Sequence, residues 1–421
     1  MKTVYKANLI HTPDRNRFEI VEGGCVVVEN GKVCGLGTDP GALGCGDAEV
    51  IDFGGRLLVP AMNDIHVHAA QYHNQGIAMD MELLPWLDNY TFPEECRFAD
   101  PDYAERINRR FVSHLCRVGT MRSVVFASVH APASLRLMEV FGEAGMGAFV
   151  GKVAMDRNCP DSLCETAEDY ISGMESLVEA CPGQDSLVRP IVTPRFIPSC
   201  SPELLRACGE FAREHNLPVQ SHLSENRSEI EMVRSLEPES SCYADAYLRY
   251  GLFGQTPTVM AHCVWSDETE RRLLKDNGVI VAHCPTSNLN LSSGMAPIRS
   301  FLDEGIVVGL GSDISAGHEL NIFRVMVHAI EVSKMHYRKS GGSLPFLTLS
   351  EAFWMATKGG GSLFGKVGSF EPGYDFDALV IDDGDLYPDE YPVHERLERF
   401  IYLGDDRQIV KRFCRGREIV I

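Results

Sequence analysis

The sequence lacks any pair of cysteines separated by two residues, although it contains 14 cysteines among 421 residues. Without a Cys-x-x-Cys pair, the sequence offers neither a zinc ribbon nor the Pro-Cys-x-x-Cys site of cytidine-type deaminases. Cysteines scattered through a chain of this length are typical of reduced thiols rather than of a disulfide framework. We therefore expect a cytoplasmic protein.

Long apolar runs and an excess of basic residues are also missing. No uninterrupted apolar run reaches the ~18 residues of a membrane span, and the first twenty residues lack the apolar core of a signal peptide. Lys and Arg number 39 against 59 Asp and Glu, giving a net charge of -20 and a pI near 5.1. This charge disfavours nucleic acid as a partner. We expect neither a membrane nor a nucleic-acid partner, and a small neutral substrate is compatible with the charge.

The two ends of the chain have the pattern of a small β-rich module. In "GGCVVVENGKVCGLG" two β-branched runs flank Asn30-Gly31, which is a strong signal for a β-hairpin. Short strands separated by Gly and Pro return after Phe364. We predict a composite β-sandwich built from residues 1–60 and 366–421.

The middle of the chain, residues 61–365, has a different pattern, whose first run begins a few residues earlier. Runs rich in β-branched residues alternate there with amphipathic stretches such as "PELLRACGEFAREH" and "DETERRLLKDN". The runs, in order, are "RLLVPAMNDIHVH", "RSVVFASVH", "GAFVGKVAMD", "LVRPIVTPR", "PVQSHL", "TVMAHCV", "GVIVAHCP" and "IVVGLGSD". Eight strands alternating with helices over ~300 residues predict an α/β fold of the (β/α)8 TIM-barrel type. A doubly wound open sheet shares this alternation.

In "NDIHVHAAQ", at the end of the first of these strands, polar residues stand at every second position. Side chains alternate along a strand, so Asp64, His66 and His68 are predicted to share one face, with Ile65 and Val67 on the other. Buried polar groups cost free energy unless they have partners. A metal ion would satisfy them, and so would hydrogen bonds in the core.

Metal-capable side chains recur at the ends of the predicted strands, which is where barrel enzymes carry their chemistry. The residues at these ends are His66, His68, Arg195, His222, His262, His283 and Asp313. Three imidazoles with a carboxylate suit zinc, with iron(II) as the second choice. This set favours a catalytic barrel over an open sheet.

The order His-x-His, His, His and Asp on strands one, five, six and eight resembles the amidohydrolase superfamily. Within it, the chain resembles the guanine deaminase family in "LLPWLDNYTFPEECRF", "VTPRF", "SHLSEN", "AHCPTSNLNLSSG" and "FIYLGDDRQI". The resemblance spans residues ~60 to ~410. It departs at "VPAMNDIHVH", where such chains usually have Pro-Gly before the strand and Thr before the histidine pair.

The resemblance implies that His66, His68, His222 and Asp313 hold one zinc and leave a position for water, whose pKa the metal lowers. His262 would orient the resulting hydroxide, and Asp313 would also accept a proton. Glu225 would shuttle protons between water, ring nitrogen and leaving amine. The alternatives are a fifth ligand or a core histidine for His262, a helix N-cap for Asp313, and a helix capping box for Glu225.

The resemblance also implies substrate contacts. Arg195 would meet the carbonyl of the purine, Phe196 would stack on the base, and Gln71 would pair with ring edges. His222, Glu225 and Asp313 would also face the base. A surface salt bridge is the alternative for Arg195, and a core ring is the alternative for Phe196.

Three further residues are assigned no catalytic role from the sequence. Trp86 is expected in a loop insertion, either as a lid over the site or as plain packing. His130 and His283 also end strands, where most histidines hydrogen-bond to neighbours.

The chemistry implied is zinc-dependent hydrolytic deamination of guanine to xanthine and ammonia, in purine catabolism or salvage, by a homodimer. Relatives that open cyclic amides need a carbamylated lysine at the end of strand four, where this chain has Arg195; Lys152 lies within strand three. Other deaminase specificities, such as cytosine, 8-oxoguanine or an adenosyl-type substrate, remain alternatives, as does a purine-binding scaffold without catalysis.

Overall fold

The computed structural model describes residues 2–44, 48–386 and 391–420. The strands in this part of the chain are β1 (Lys2–Asp14), β2 (Arg17–Glu29), β3 (Lys32–Gly37), β4 (Glu49–Pro60), β5 (Met62–His68), β6 (Thr120–Phe126), β7 (Gly147–Gly151), β8 (Val153–Ala154), β9 (Val188–Pro190), β10 (Thr193–Pro194), β11 (Val219–Leu223), β12 (Thr258–His262), β13 (Ile280–His283), β14 (Val308–Leu310), β15 (Ala378–Ile381), β16 (Ile409–Cys414) and β17 (Arg417–Glu418).

The α-helices alternate with the strands through the middle of the chain. They are α1 (Leu83–Trp86), α2 (Phe92–Cys96), α3 (Pro101–Arg117), α4 (Ala131–Ala144), α5 (Ala167–Glu179), α6 (Pro202–Glu214), α7 (Arg227–Leu236), α8 (Tyr243–Arg249), α9 (Glu268–Asp276), α10 (Pro285–Asn290), α11 (Ile298–Glu304), α12 (Ile322–Lys339), α13 (Leu349–Trp354) and α14 (Val393–Leu403). Within the described residues, every helix is too short or too polar to span a bilayer.

The two ends of the chain form one mixed sheet in the order β17-β16-β15-β4-β1-β2-β3. The predicted hairpin joins β2 to β3, with Asn30 at φ 51° and Gly31 at φ 76°. Left-handed backbone at both turn residues is what a type I′ turn requires, so this prediction is confirmed. Hydrogen bonds join all seven strands into one sheet, and the two-layered sandwich stays a prediction.

The end of the chain contains a helix where the sequence analysis predicted only strands. Helix α14 buries Val393, Leu397, Phe400 and Ile401, which recur at helical spacing. The ring of Phe400 packs edge-on against Phe323 of α12, with centroids 4.9 Å apart. The strands predicted on either side, in "GKVGSFEPGYDFDALVID" and "RQIVKRFCRGREIVI", are present as β15, β16 and β17, and α14 lies between them in a stretch where no helix was predicted.

Two four-stranded parallel sheets form the middle of the molecule, in the orders β5-β6-β7-β9 and β11-β12-β13-β14. A parallel bridge between Val192 and Val219 joins β9 to β11 beyond the end of β9. On the other side, the Asp313 amide donates to the His66 carbonyl (2.9 Å), and the His68 amide donates to the Ile314 carbonyl (3.1 Å). The eight predicted strand positions are all occupied by strands, and the short pair β8 and β10 prolongs the third and fourth.

The predicted first strand is divided between the two parts of the molecule. Its beginning belongs to β4 of the terminal sheet, and its end is β5. The Ala61 amide donates to the Asp377 carbonyl (3.0 Å), whereas the Met62 amide donates to the Gly119 carbonyl (3.1 Å). The change of partner between residues 61 and 62 lies one residue after the predicted domain boundary, and the boundary itself stays a prediction.

The helices that cover the parallel strands form for the reasons expected from their sequences. Ser201 caps α6 by accepting the Leu204 amide, and Asp267 caps α9 by accepting the Glu270 amide. Helix α6 then buries its apolar face. Both helices predicted from periodicity are confirmed.

A buried ion-pair network joins the terminal sheet to the parallel strands. Arg122 of β6 donates to Asp377 (Nε to Oδ2, 2.6 Å) and to Asp375 (Nη2 to Oδ2, 3.0 Å). All three side chains are at most 7% exposed. Removing one partner of such a pair leaves a buried charge, so the network favours one fixed arrangement of the two parts.

Candidate active site

Four of the predicted ligands converge at the carboxyl ends of the parallel strands. The Asp313 Oδ1 atom lies 3.2 Å from His66 Nε2 and 3.3 Å from His68 Nε2. His222 Nε2 lies 3.3 Å from His68 Nε2. Each of the four residues is at most 9% exposed. The His–Asp cluster, as we call these four residues, brings together side chains from β5, from β11 and from the segment after β14.

Burial sets the protonation of the His–Asp cluster. It lowers the pKa of His66, lowers that of His68 to about 4, and lowers that of His222 well below 6.5. Burial alone would raise the pKa of Asp313, but the neighbouring imidazoles outweigh it and hold that pKa well below its usual range. The cluster therefore consists of neutral imidazoles and an ionised carboxylate, the forms in which these groups bind metal.

The donor set fits a metal ion on several observations. His66 Nε2 is buried and has no hydrogen-bond partner among the described residues. Ligand atoms of His66, His222 and His262 all lie within 4.8 Å of one another, as do those of His66, Cys284 and Asp313. Burial raises the pKa of the Cys284 thiol well above its usual range, which disfavours the thiolate that binds metal.

The tautomer of His222 is set by the backbone. Its Nδ1 atom lies 2.6 Å from the Arg195 carbonyl oxygen, so this nitrogen carries the hydrogen and Nε2 is left as an acceptor. A histidine ligand to metal is commonly oriented by such a bond from its second nitrogen.

Asp64 was predicted to share a strand face with His66 and His68, but its polar atoms have backbone and side-chain partners of their own. Its carboxyl group accepts the backbone amides of Ser312 (3.0 Å) and His66 (3.3 Å). Strand pairing between β5 and β6 is irregular between Asp64 and Val67. Burial raises the pKa of Asp64 to about 7. This residue supports the strand end through hydrogen bonds.

His262 and Glu225 lie beside the His–Asp cluster. His262 Nε2 is 3.5 Å from Glu225 Oε2 and 3.8 Å from Asp313 Oδ2, and it has no hydrogen-bond partner among the described residues. His262 Nδ1 lies 2.9 Å from Asn288 Oδ1, which fixes the ring. The position suits the predicted orienting role, and that role stays a prediction.

The carboxyl group of Glu225 faces the cavity and does not cap a helix. Its Oε1 atom accepts a hydrogen bond from Ser293 Oγ (3.2 Å). Burial, with a contribution from Asp313, raises the pKa of Glu225 to about 8. The capping box of α7 is formed by Asn226 and Glu229 instead. The capping alternative for Glu225 was therefore wrong.

Left-handed backbone occurs at three of the strand ends that form the site. Ser224 has φ 48°, His262 has φ 72° and Asp313 has φ 48°. Such a conformation costs a non-glycine residue of order 1–3 kcal/mol and is concentrated at functional sites. The chain therefore accepts strain where these side chains must turn toward one another.

A cavity opens next to the His–Asp cluster. Its lining residues are His68, Gln71, Leu83, Trp86, Leu87, Arg195, Phe196, His222, Glu225, His262, Leu291, Asp313 and Ala316. Of the nine predicted site residues with a catalytic, substrate or metal role, only His66 does not line this cavity.

Residues 83–96, which we call the covering segment, form one wall of the cavity. The segment consists of α1, the π-helical turn Leu87–Thr91 and α2. Trp86 is 1% exposed, and its Nε1 atom has no hydrogen-bond partner among the described residues. The predicted insertion thus lies over the site, and Trp86 both packs and lines the cavity.

Arg195 makes a buried ion pair that the sequence analysis did not anticipate. Its Nη1 atom donates to both oxygens of Glu95, at 3.0 and 2.7 Å. The side chains are 4% and 8% exposed, so the alternative of a surface salt bridge was wrong. Gln71 Nε2 donates to the same carboxylate at 2.9 Å. Phe196, next to Arg195, is 7% exposed and lines the cavity.

Lys152, His130 and His283 lie away from this cavity. Lys152 is held in an ion pair with Glu165, with its ammonium over the ring of Tyr170. His130 and His283 line other cavities. The position required for a carbamylated lysine is occupied by Arg195, as predicted.

Comparisons with known proteins agree with this geometry. The family model of the amidohydrolase family matches residues 57–419. A guanine deaminase from Dictyostelium discoideum is 40% identical over 385 residues, covering 88% of this chain and 84% of that protein. A guanine deaminase from Escherichia coli K12 is 35% identical over 413 residues, covering 95% of this chain and 92% of that one.

Among solved structures, the chain is similar to a guanine deaminase from C. acetobutylicum with bound guanine in its active site. The TM-score is 0.97, with 50% sequence identity and 100% of both chains covered. The family model includes every strand end that carries the site, and the structural match covers the whole chain. The chain therefore belongs to the amidohydrolase family, and within it to the guanine deaminases.

Proposed function

We propose that this protein catalyses the zinc-dependent hydrolytic deamination of guanine to xanthine and ammonia. The observation that carries the proposal is one cavity lined by three members of the His–Asp cluster, by Glu225 and by Arg195; the three members are His68, His222 and Asp313. The similar protein with guanine in its active site supports the choice of substrate.

The metal would be held by His66, His68, His222 and Asp313, with zinc favoured by the N and O donors. When bound, the ion supplies Lewis-acid chemistry and lowers the pKa of a water. Iron(II), the second choice, has no separate support from these residues, and metal analysis distinguishes the two.

The base would be held by the residues at the other end of the cavity. Arg195 has donors only, so it matches the carbonyl oxygen of guanine and not the amino group that adenine has at that position. Phe196 would stack on the ring, and Gln71 would pair with a ring edge. This arrangement turns the 2-amino carbon of guanine toward Glu225 and the His–Asp cluster.

Protons would move through Glu225. A protonated carboxyl group can donate to the ring nitrogen beside the carbon that water attacks, while Asp313 accepts the proton that water loses. Glu225, now ionised, would take the remaining proton of the added hydroxyl group and pass it to the departing amine, and the proton held by Asp313 would return to Glu225. The balance is one water consumed and one ammonia released per guanine. His262 would orient the water through its Nε2 atom.

The test is to supply zinc-loaded protein with guanine, adenine and cytosine in parallel and to measure ammonia together with the deaminated base. We expect xanthine and ammonia from guanine, and essentially no turnover of adenine. A faster reaction with adenine or cytosine would contradict the guanine assignment and leave the metal site in place.

The amidohydrolase fold is a TIM-type barrel with a separate domain, and we infer that the eight parallel strands of this chain close into such a barrel. The hydrogen bonds of Val192 with Pro218 and Gln220, and of Asp313 with His66, support closure at the two seams. The domain boundaries, the homodimer, the cytoplasmic location and the role in purine catabolism or salvage stay predictions. Light scattering of the purified protein tests the homodimer.

A further inference from the structure

Glu95 of the covering segment is the only acceptor shared, within the described residues, by the two polar groups expected to recognise the base. Its carboxylate accepts Arg195 Nη1 through both oxygens and Gln71 Nε2 through Oε1. We infer that Glu95 is a positioning residue that determines substrate specificity, an inference that rests on the proposed function.

The contact with Arg195 holds the guanidinium in one orientation. Nη1 faces Glu95, whereas Nε and Nη2 have no hydrogen-bond acceptor among the described residues. Phe92 lies one helical turn before Glu95 on α2, with its ring under the guanidinium. The Cζ atom of Arg195 is 5.1 Å from the centroid of the Phe92 ring. One short helix therefore fixes Arg195 by charge and by a ring, and leaves its remaining donors for the cavity.

The contact with Gln71 fixes the orientation of an amide that could otherwise be reversed. A carboxylate only accepts, so the Gln71 nitrogen must face Glu95. The Gln71 oxygen accordingly accepts the Ser315 amide at 3.3 Å. One amide hydrogen and one oxygen lone pair remain for the base, at positions that Glu95 determines.

Three contacts from two donor groups therefore meet at Glu95, and only an acceptor-only group satisfies all three. In the substitution Glu95→Gln the new amide keeps the volume, but its nitrogen takes the place of one carboxylate oxygen. With the nitrogen at the Oε2 position, an N–H faces Arg195 Nη1 and the 2.7 Å contact is lost; with the nitrogen at the Oε1 position, the contact to Gln71 is lost as well as the 3.0 Å contact to Arg195. In either orientation the charge that holds the guanidinium is removed, and the donors that recognise the base are less firmly fixed. Because Glu225 and the His–Asp cluster are untouched, we expect the loss mainly in KM.

Glu94 provides a matched control on the same helix. It is equally buried, but it pairs with Arg97 (2.9 Å) and Tyr103, neither of which lines the cavity. The substitution Glu94→Gln makes the same chemical change one residue away. It tests the effect of altering a buried carboxylate of the covering segment without touching Arg195.

The experiment measures guanine deamination by zinc-loaded wild type, Glu95→Gln, Glu94→Gln, Arg195→Met and the double variant Glu95→Gln/Arg195→Met. Loss of a charge-assisted hydrogen bond predicts an increase in KM of about 10- to 100-fold for Glu95→Gln, with kcat within about threefold. Glu94→Gln should stay within about threefold of wild type. In the Arg195→Met background, Glu95→Gln should raise KM by less than a further threefold, because Arg195 is already gone and the new amide oxygen can still accept Gln71 Nε2.

Glu95→Asp keeps an acceptor-only group on a shorter side chain. We expect this variant to fold even if Glu95→Gln is unstable, and its KM should lie between those of wild type and Glu95→Gln. The inference is overturned if wild type is active and Glu95→Gln behaves like Glu94→Gln. It is also overturned if Glu95→Gln raises KM by the same factor in the wild-type and the Arg195→Met backgrounds. A KM of Glu95→Asp as high as that of Glu95→Gln would overturn it as well. An inactive wild type would reject the proposed function itself, a result distinct from these.

Discussion

The substitution Glu225→Gln separates proton transfer from binding, because it preserves the shape of the side chain and removes its ability to accept and return a proton. The carboxyl group accepts Ser293 Oγ at 3.2 Å and lies 3.5 Å from His262 Nε2. An amide oxygen can keep the Ser293 contact. Glu225 is not among the proposed metal ligands, so the metal content should not change.

The size of the effect follows from the number of proton transfers assigned to Glu225. General acid–base catalysis contributes roughly 10²–10⁴-fold. Because Glu225 would act once on the ring and once on the amine, we expect a loss at or above about 10⁴-fold in kcat. That loss corresponds to about 5 kcal/mol of transition-state stabilisation.

The assay is steady-state xanthine formation, with metal content measured on the same preparations. Glu237→Gln is the control: Glu237 is also buried and accepts the Tyr250 hydroxyl at 2.8 Å, outside the cavity. We expect less than a twofold change in kcat for this variant. A loss below tenfold for Glu225→Gln, with metal retained, would refute the proton-transfer role.

Two further predictions concern substrate choice and pH. Arg195→Met should cost guanine about 2–3 kcal/mol of transition-state binding, the worth of a charged hydrogen bond or two, and should narrow the preference over adenine. Unchanged kcat/KM for guanine in Arg195→Met would contradict this. The single variant also leaves the buried Glu95 carboxylate without its cation, so adding Glu95→Gln should raise the free energy of unfolding relative to Arg195→Met alone. Burial lowers the pKa of His11 to about 4, so the unfolded chain binds a proton on His11 between pH 6.5 and about 4 while the folded chain does not. The free energy of unfolding should therefore fall by about 3 kcal/mol as the pH drops through this window. Urea titrations should show this fall for wild type and a smaller one for His11→Gln, and equal falls in both would contradict it.

The parts of the site that the sequence predicts are those attached to strand ends. Parallel strands bring their carboxyl ends to the same edge, so His66, His222 and Asp313 could be placed together without knowing any loop. The same argument placed Arg195 at the cavity. It did not supply the partner of Arg195, because that partner comes from the covering segment.

Glu95 lies in "LLPWLDNYTFPEECRF", a stretch that was noted for its resemblance to the family and not for its charges. Its signal was a pair of adjacent acidic residues in a loop insertion that also contains Asp88. Which of the two faces Arg195 depends on how α2 packs on the cavity, and periodicity does not give that. Glu94 and Glu95 are both buried, yet only Glu95 contacts Arg195.

The fold prediction is limited for the same reason, because side-chain periodicity does not identify which segments of the chain lie next to each other. The switch of chain partners between Ala61 and Met62 is invisible in a continuous apolar run, because side-chain alternation does not identify the neighbouring strand. Helix α14 did carry a helical spacing, at Val393, Leu397, Phe400 and Ile401. It was missed because the strands on either side of it set the expectation for the whole segment.

The most direct measurement of the central claim is a zinc titration of metal-free protein, followed by guanine turnover at each ratio of zinc to chain. If His66, His68, His222 and Asp313 form one catalytic metal site, activity should be absent without metal, rise linearly and stop rising at about one zinc per chain. Activity that is complete in the metal-free protein, or that continues to rise well beyond one zinc per chain, would contradict the single-metal site.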